Sequence, residues 1–399
     1  MHVKETVNLA EEECTGCSAC SVVCPCGAIA MKENEKGFIA YVITDSCIGC
    51  KKCESACPIV NAENAKNPGL RDSRVIYSFA VRDEDRLRSS SGGIFYLLAK
   101  EVLKADGMVC GCIWDDDIVA RHVLSSDLAG IEKMRSSKYV QSDMGSCFSE
   151  ITEVLPDRLV LFSGTPCQVA GLRRLVGKCD NLLTCSFVCG GAPSPKVWRE
   201  YRQAVSRALG SRITSVNMRS KDTNWLIPEL KIVCEDGRVH REVLLNQNHY
   251  GVAFGSGLIT MNSCTNCKFR GDALFADIVV SDHWGISREM LNRSQNKGAS
   301  ALLIRTQKGE RLFDLIEGDI FATEGNLEDM KASHMVMCCN SDGGERRSAF
   351  IASDECDIVK RIEDGLGRGW VIKNRIVRVL NAMRLYIPFL TLRWRHRAK

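Results

Sequence analysis

Cys14-Thr-Gly-Cys17-Ser-Ala-Cys20-Ser-Val-Val-Cys24-Pro25 is followed, further along the chain, by Cys47-Ile-Gly-Cys50-Lys-Lys-Cys53-Glu-Ser-Ala-Cys57-Pro58. Each run reads C-x-x-C-x-x-C-x-x-x-C-P, and the spacing has a chemical reason. Three closely spaced thiolates can wrap one iron–sulfur cube, while the fourth, turned away by the following proline, reaches the partner cube. The crossed rule assigns Cys14, Cys17, Cys20 and Cys57 to one 4Fe–4S cluster. It assigns Cys47, Cys50, Cys53 and Cys24 to the other. Zinc, which takes four ligands in two pairs, and a disulfide framework both fit two such tandem runs poorly. The stretch points to electron transfer.

The run is that of a bacterial-type ferredoxin, and it sets a small α+β ferredoxin domain at residues 1–66. Within it, Ala28–Met31 and Phe38–Ile43 read as short strands around a Glu33–Gly37 turn. Cys26 lies outside the ligand pattern and reads as a spare thiol. Asn61 to Arg74 is polar and reads as a linker. The whole chain has 399 residues, enough for two or three domains. A net charge of +4 is too mild to argue for nucleic acid. Twenty-two cysteines, many of them in cluster motifs, and an apolar-poor start at Met1-His-Val-Lys-Glu-Thr-Val suit a reducing compartment. The expectation is a cytoplasmic protein of an anaerobic or oxygen-avoiding cell. No segment offers the roughly eighteen uninterrupted apolar residues of a spanning helix.

From Val75 strands and helices alternate, which argues an α/β domain, a mixed sheet with flanking helices, over residues 67–365. Ile76–Val81 is a strand leading to Arg88-Ser-Ser-Ser-Gly-Gly-Ile94 and a helical run, Phe95–Lys104. Serines and paired glycines before a helix make an anion site or a simple helix cap. Met108–Trp114 is another strand, with Cys110 and Cys112 as small apolar residues. Leu159–Ser163 ends at Gly164-Thr-Pro-Cys167-Gln, where Thr165 is a plausible N-cap and Pro166 opens a helix. A cysteine just inside a helix start has its thiolate favoured by the dipole. Leu182–Val188 repeats the pattern and ends at Cys189-Gly-Gly. Leu230–His240 reads as a hairpin turning at Asp236-Gly237. Cys264-Thr-Asn-Cys267 precedes a strand at Ala276–Val280. Cys167, Cys189, Cys264 and Cys267 make four thiolates, with Cys185 a rival to Cys189.

These blocks resemble the beta subunit of coenzyme F420-reducing hydrogenase and related dehydrogenases. The resemblance rests on Ser-Gly-Gly-Ile (91–94), Ser-Lys-Tyr (137–139), Thr-Pro-Cys-Gln-x-x-Gly-Leu-Arg (165–173), Cys189, Cys-x-x-Cys (264–267) and Ala-Asp-Ile-x-x-Ser-Asp (276–282). Chlorophyll-modifying hydroxymethyl reductases are similar to this arrangement too. The family implies a flavin-binding α/β domain with FAD beside a 4Fe–4S cluster. Carried over, Cys167, Cys189, Cys264 and Cys267 hold a third 4Fe–4S cluster. Ser91, Gly92, Gly93, Ser137, Lys138, Tyr139, Ser281, Asp282 and Trp284 lie around the flavin. Lys138 is the candidate catalytic group, placed to stabilise negative charge on a reduced flavin. His122, His240, His249, His283 and His334 show no paired arrangement.

The resemblance implies an iron–sulfur flavoprotein oxidoreductase. Electrons pass between ferredoxin-type clusters and, through FAD, a small organic substrate or the deazaflavin coenzyme. The alternative is a non-catalytic subunit that delivers electrons to a separate hydrogenase, dehydrogenase or reductase chain. Either needs a protein partner, a ferredoxin or a redox subunit. The tail, residues 366–399, carries eight Lys/Arg between Trp370 and Lys399 and no acidic residue. Ile372, Ile376, Leu380, Met383 and Ile387 have helical spacing until Pro388. Such a helix can pack on the domain or make a peripheral membrane contact.

Overall fold

The computed structural model describes residues 9–62, 73–271, 274, 276–334, 337 and 343–383. Most of the expected linker, together with Ile387, Pro388 and the basic end of the tail, lies outside the described residues. The N-terminal module is an antiparallel hairpin of β1 (Ile29–Glu33) and β2 (Ile39–Ile43), with short helices at Ala19–Val22 and Lys52–Ala56. Glu33 pairs with Ile39, so the turn falls where the sequence places it. Asn34 closes that turn, its side-chain oxygen accepting from Phe38 N at 2.9 Å.

The remaining strands form two sheets. They are β3 (Arg74–Ala80), β4 (Met108–Trp114), β5 (Ala120–Ser125), β6 (Val160–Gly164), β7 (Leu182–Phe187), β8 (Ile213–Ser220) and β9 (Glu229–Cys234). There follow β10 (Val239–Val243), β11 (Ile278–Asp282), β12 (Ser300–Ile304) and β13 (Ile320–Glu324). Strands β8 to β10 make a small antiparallel sheet, with the predicted Asp236-Gly237 turn between β9 and β10. The others form one mixed sheet of eight, in the order β13-β3-β12-β11-β7-β6-β4-β5. Its middle pairs, β11–β7, β7–β6 and β6–β4, are parallel, and the flanking pairs are antiparallel.

Both faces of the large sheet are buried, so its strands read as near-continuous apolar runs that the pleat divides between two cores. Val75, Val160, Phe162, Leu182, Val279 and Leu303 belong to one core. Ile76, Leu161, Leu183, Ile278, Leu302 and Ile304 belong to the other. The first core also takes in Cys17, Ala19 and Ala56, so the N-terminal module packs directly into it. Strand β3 runs parallel to β11 because both are antiparallel to β12. The carboxyl ends of β3, β11, β7, β6 and β4 therefore share one edge, where ligands of α/β sheets collect.

The tail begins as a helix, Arg368–Ala382, packed through Asn374 and Val377. Trp370 meets His249 edge-on at 5.0 Å, and Arg378 pairs with Glu242 at 3.1 Å. The apolar stripe differs from expectation at one position. Leu380 turns toward the domain, and Val379 joins Ile372, Ile376 and Met383 on the exposed side. Among the described residues no helix is long and apolar enough to cross a membrane.

Candidate functional site

The two N-terminal cysteine runs fold into two unlike thiol sets. Cys14, Cys17 and Cys57 are buried and Cys20 is half-buried. Burial first, then mutual proximity, pushes the thiols of Cys14, Cys17 and Cys20 up, Cys17 to about 12. Close, buried thiols resist ionisation, so a cationic metal is what would bring them to thiolate. The other set rings a surface cavity lined by Cys24, Cys47, Cys50 and Cys53, with Cys26 and Ile48 on the same wall. Cys50 and Ile48 are exposed. The fold thus brings together the crossed combinations that the spacing predicts. At Cys24 desolvation is outweighed by the N–H groups of Ala28, Cys26 and Ile29 together with the Cys26 thiol, so its thiol lies below the ordinary value. Ala28 N is 3.2 Å from that sulfur.

A second cavity lies at the carboxyl edge of the large sheet and is lined by Cys167, Cys189, Cys264 and Cys267. Cys185 does not reach it, being buried inside β7 among core residues. Thr15 and Ile59 of the N-terminal module complete the cavity wall, and Ser263 Oγ donates to Cys14 O at 3.1 Å. The inner thiol set therefore stands beside the third. Among the described residues no three His, Cys, Asp or Glu side chains close around a single point as one metal ion requires. The thiols are instead spread around the walls of cavities.

Several residues of the Thr165–Arg173 block shape this arrangement. Thr165 and Gln168 form a reciprocal capping box at the start of the helix Pro166–Val176. Gly171 faces the N-terminal module; a Cβ there would lie 2.9 Å from Cys17 Sγ, so only hydrogen permits the approach. Arg173 pairs with the buried Asp277 at 2.9 Å. Asp277 also accepts from Thr184 N and Oγ1, joining the start of β11 to β7. Its carboxyl lies below the ordinary range, burial being outweighed by Arg173 and these donors. Cys167 departs from expectation. It opens a helix, yet burial pushes its thiol well up, because desolvation exceeds the dipole's help.

The residues expected around a flavin divide into two groups. Ser137, Tyr139, Asp282 and Trp284 gather near Arg219, a buried cation at the end of β8. Arg219 Nη2 is 2.8 Å from Asp282 Oδ2, and its guanidinium lies 4.9 Å from the Trp284 ring centre. The Tyr139 phenol lies close enough to Arg219 to favour its charged form. Trp225 stacks on Trp284 at 5.8 Å and donates to Asp282 Oδ1 at 3.2 Å. Ser137 Oγ is 2.8 Å from Ser90 Oγ. Arg219 Nε, buried, has no acceptor among the described residues. Tyr139 packs on Phe254 at 5.1 Å, and Phe254 packs against Gly190 beside Cys189, so this group adjoins the thiol cavity.

The second group serves the scaffold. Gly92 N donates to Ser300 Oγ at 2.9 Å, Ser91 Oγ donates to Ala299 O, and Ser281 Oγ donates to Ala301 O. Gly93 turns left-handed to start the helix Ile94–Lys104. Lys221 Nζ holds the serine–glycine loop by donating to Arg86 O, Ser91 O and Lys297 O. Lys138 lies at the end of a helix, where its amine is held by backbone carbonyls. Its Nζ donates to Lys133 O, Arg135 O and Ser136 O, closing the end of the helix Leu128–Met134. An ammonium whose three protons are taken by carbonyls is a helix cap, although burial lowers it to about 8. The histidines do contain one spatial pair that spacing missed: His283, stacked on Tyr77 at 3.8 Å, neighbours His334. Sequence reasoning also missed Arg219, Lys221 and Trp225. The one available signal was a pair of cationic residues, Arg219 and Lys221, at the end of a strand of mixed polarity.

Two packed thiol sets in a small module, and a third at the ligand edge of a mixed α/β sheet, describe an iron–sulfur redox protein of the electron-transferring kind. Residues 13–61 match the 4Fe–4S dicluster domain. Residues 157–329 match the family described as the C terminus of the beta subunit of coenzyme F420 hydrogenase/dehydrogenase. No curated protein matches the sequence. Among solved structures, a chain of the xenon-derivatised F420-reducing NiFe hydrogenase complex from Methanosarcina barkeri is similar. It is 17% identical, with 68% of this chain and 90% of that chain covered and a TM-score of 0.48.

Proposed function

We propose that the chain is an iron–sulfur flavoprotein oxidoreductase, linking ferredoxin-type clusters through FAD to a small organic substrate or the deazaflavin coenzyme. The observation that supports this reading is the order of the thiol sets. Cys24, Cys47, Cys50 and Cys53 would hold an outer cluster, and Cys14, Cys17, Cys20 and Cys57 an inner one. Cys167, Cys189, Cys264 and Cys267 would hold a third, whose cavity wall includes Thr15 and Ile59. The exposed rim at Ile48 and Cys50 gives a one-electron partner, a ferredoxin or a redox subunit, its point of approach. When bound, the clusters supply one-electron steps and the flavin supplies hydride exchange.

The chain's own residues fit a flavin near Tyr139, Asp282 and Trp284. Arg219 keeps its charge there, since Asp282 and Tyr139 outweigh the effect of burial, and its Nε lacks an acceptor among the described residues. A fixed cation beside flat aromatic rings would favour added negative charge on a bound flavin. Lys221 and Ser300 hold the serine–glycine loop in place beside them. The division into residues 1–66, 67–365 and 366–399 follows this assignment of work, and the reducing chemistry suits the cytoplasm.

The family description, a beta subunit, favours a second reading: a chain that delivers electrons to a separate catalytic subunit. Iron, acid-labile sulfide and flavin per chain, measured after anaerobic reconstitution, test the first reading. About twelve irons and one FAD are expected. About eight irons without flavin would end it. Turnover of a small molecule by the isolated chain with reduced ferredoxin separates the two readings, and a strict need for a co-purifying subunit selects the second.

A further inference from the structure

We propose that Cys26 is a reserve ligand of the outer cluster, able to replace Cys24. The inference rests on reading Cys24, Cys47, Cys50 and Cys53 as that cluster's ligands. A four-ligand site is here ringed by five thiols, because Cys26 lines the same cavity wall. Its sulfur is 3.8 Å from Cys24 Sγ, and Pro25 between them holds the two thiols on one short loop. Cys24 is the resident ligand because Ala28 N donates to its sulfur at 3.2 Å. Cys26 is exposed, and its sulfur is within hydrogen-bonding distance of this neighbour's. Exchange is balanced: the Cys26 thiol gives up a proton as its sulfur bonds iron, and the released Cys24 thiolate takes a proton. No electron moves. The outer cluster, the one nearest solvent, is where a second ligand would matter most.

The test uses the full chain, reconstituted anaerobically. Cys24→Ser is expected to keep the wild-type iron content, with a changed electron paramagnetic resonance signal from the outer cluster. Cys24→Ser/Cys26→Ser is expected to lose about four irons per chain. Loss of about four irons in Cys24→Ser alone would overturn the proposal. A second measurement does not depend on the folding of that variant. Cys26→Ser in an otherwise native chain should release its outer-cluster iron to a chelator in air several-fold faster, and an unchanged rate would also overturn it. If the native chain itself holds fewer than about eight irons, the cluster reading fails rather than the reserve ligand.

The C-terminal helix carries a second site, independent of the cysteines. Ile372, Ile376, Val379 and Met383 are spaced 4, 3 and 4 apart, which places them on one line of the helix, and they are 57–61% exposed. Arg368, Lys373 and Arg375, all exposed, flank that line. No acidic residue follows Asp364. The opposite side of the helix, at Asn374 and Val377, is fixed to the domain, so the stripe faces outward on a rigid base. We infer that this face lies on an anionic lipid surface, the apolar stripe entering the headgroup boundary and the flanking cations meeting lipid phosphates. The full chain should sediment with phosphatidylglycerol vesicles and not with phosphatidylcholine vesicles. Ile372→Gln/Ile376→Gln/Val379→Gln should abolish sedimentation while keeping the melting temperature. Equal sedimentation of this variant, or none by the native chain, would overturn the inference. A native dimer that the same variant dissociates would also overturn it, assigning the stripe to a second copy.

Discussion

Cysteine does opposite work in the N-terminal module and in the large sheet. Between Cys14 and Cys57 the thiols face one another across small spaces, around one hairpin and two short helices. In the sheet, Cys110 and Cys185 are fully enclosed among Val, Leu and Ile, where they act as small apolar side chains. Three residues separate Cys185 from Cys189, and the end of β7 between them marks the change from packing to lining a cavity. The module therefore depends on what its thiols bind, and the sheet on what its strands bury.

Removing the iron should break this comparison most severely. Chelation under reducing conditions is expected to open the module, raising proteolytic cleavage within residues 9–62 at least about tenfold while the sheet domain resists. Equal resistance of both regions would show that shared burial of Cys17, Ala19 and Ala56 suffices to hold the module. The converse experiment strikes the sheet. Asp277→Ala removes the carboxylate that faces Arg173 and the acceptor of Thr184 N and Oγ1, and it is expected to cost about 3–5 kcal/mol in denaturant unfolding. Its effect should fall on the β7–β11 seam, leaving the absorption of the module's clusters unchanged.

A smaller effect separates the regions by pH. Burial lowers His122 and His283 to about 4, and the described part of the module contains no histidine. The unfolded chain then binds more protons between about pH 6.5 and 4, so stability falls as the pH drops through that window. Each histidine should remove about 2 kcal/mol between pH 7 and pH 5. His122→Gln should remove that histidine's share of the slope, and protection of the module from hydrogen exchange should not follow it. A slope unaltered by the substitution would assign the acid sensitivity elsewhere.

Much of this was legible because it is local. The hairpin at residues 29–43 follows from its turn, the β9–β10 hairpin from Asp236-Gly237, and the helix at Pro166 from its cap. The crossed thiol sets follow from a repeated spacing. What stayed hidden depends on distant partners. Nothing near Arg219 announces that it will meet Asp282, and nothing in Asp277 names Arg173. The acceptors around Lys138 were equally hidden, because they are backbone carbonyls, which every residue has. Cys167 shows the same limit: helix position is readable, whereas burial is decided by the rest of the fold.

Gln141 offers a last consequence. Its side-chain amide donates to Ile39 O at 2.8 Å and accepts from Ile39 N at 2.7 Å, reproducing the contacts of a neighbouring strand. A two-stranded hairpin otherwise presents an open rim to any other extended chain. By filling that rim with a single residue from the adjoining domain, the protein denies the hairpin a chance to zip onto another molecule. Gln141→Val would remove this guard, and newly made chains awaiting their iron would be the ones exposed to self-association.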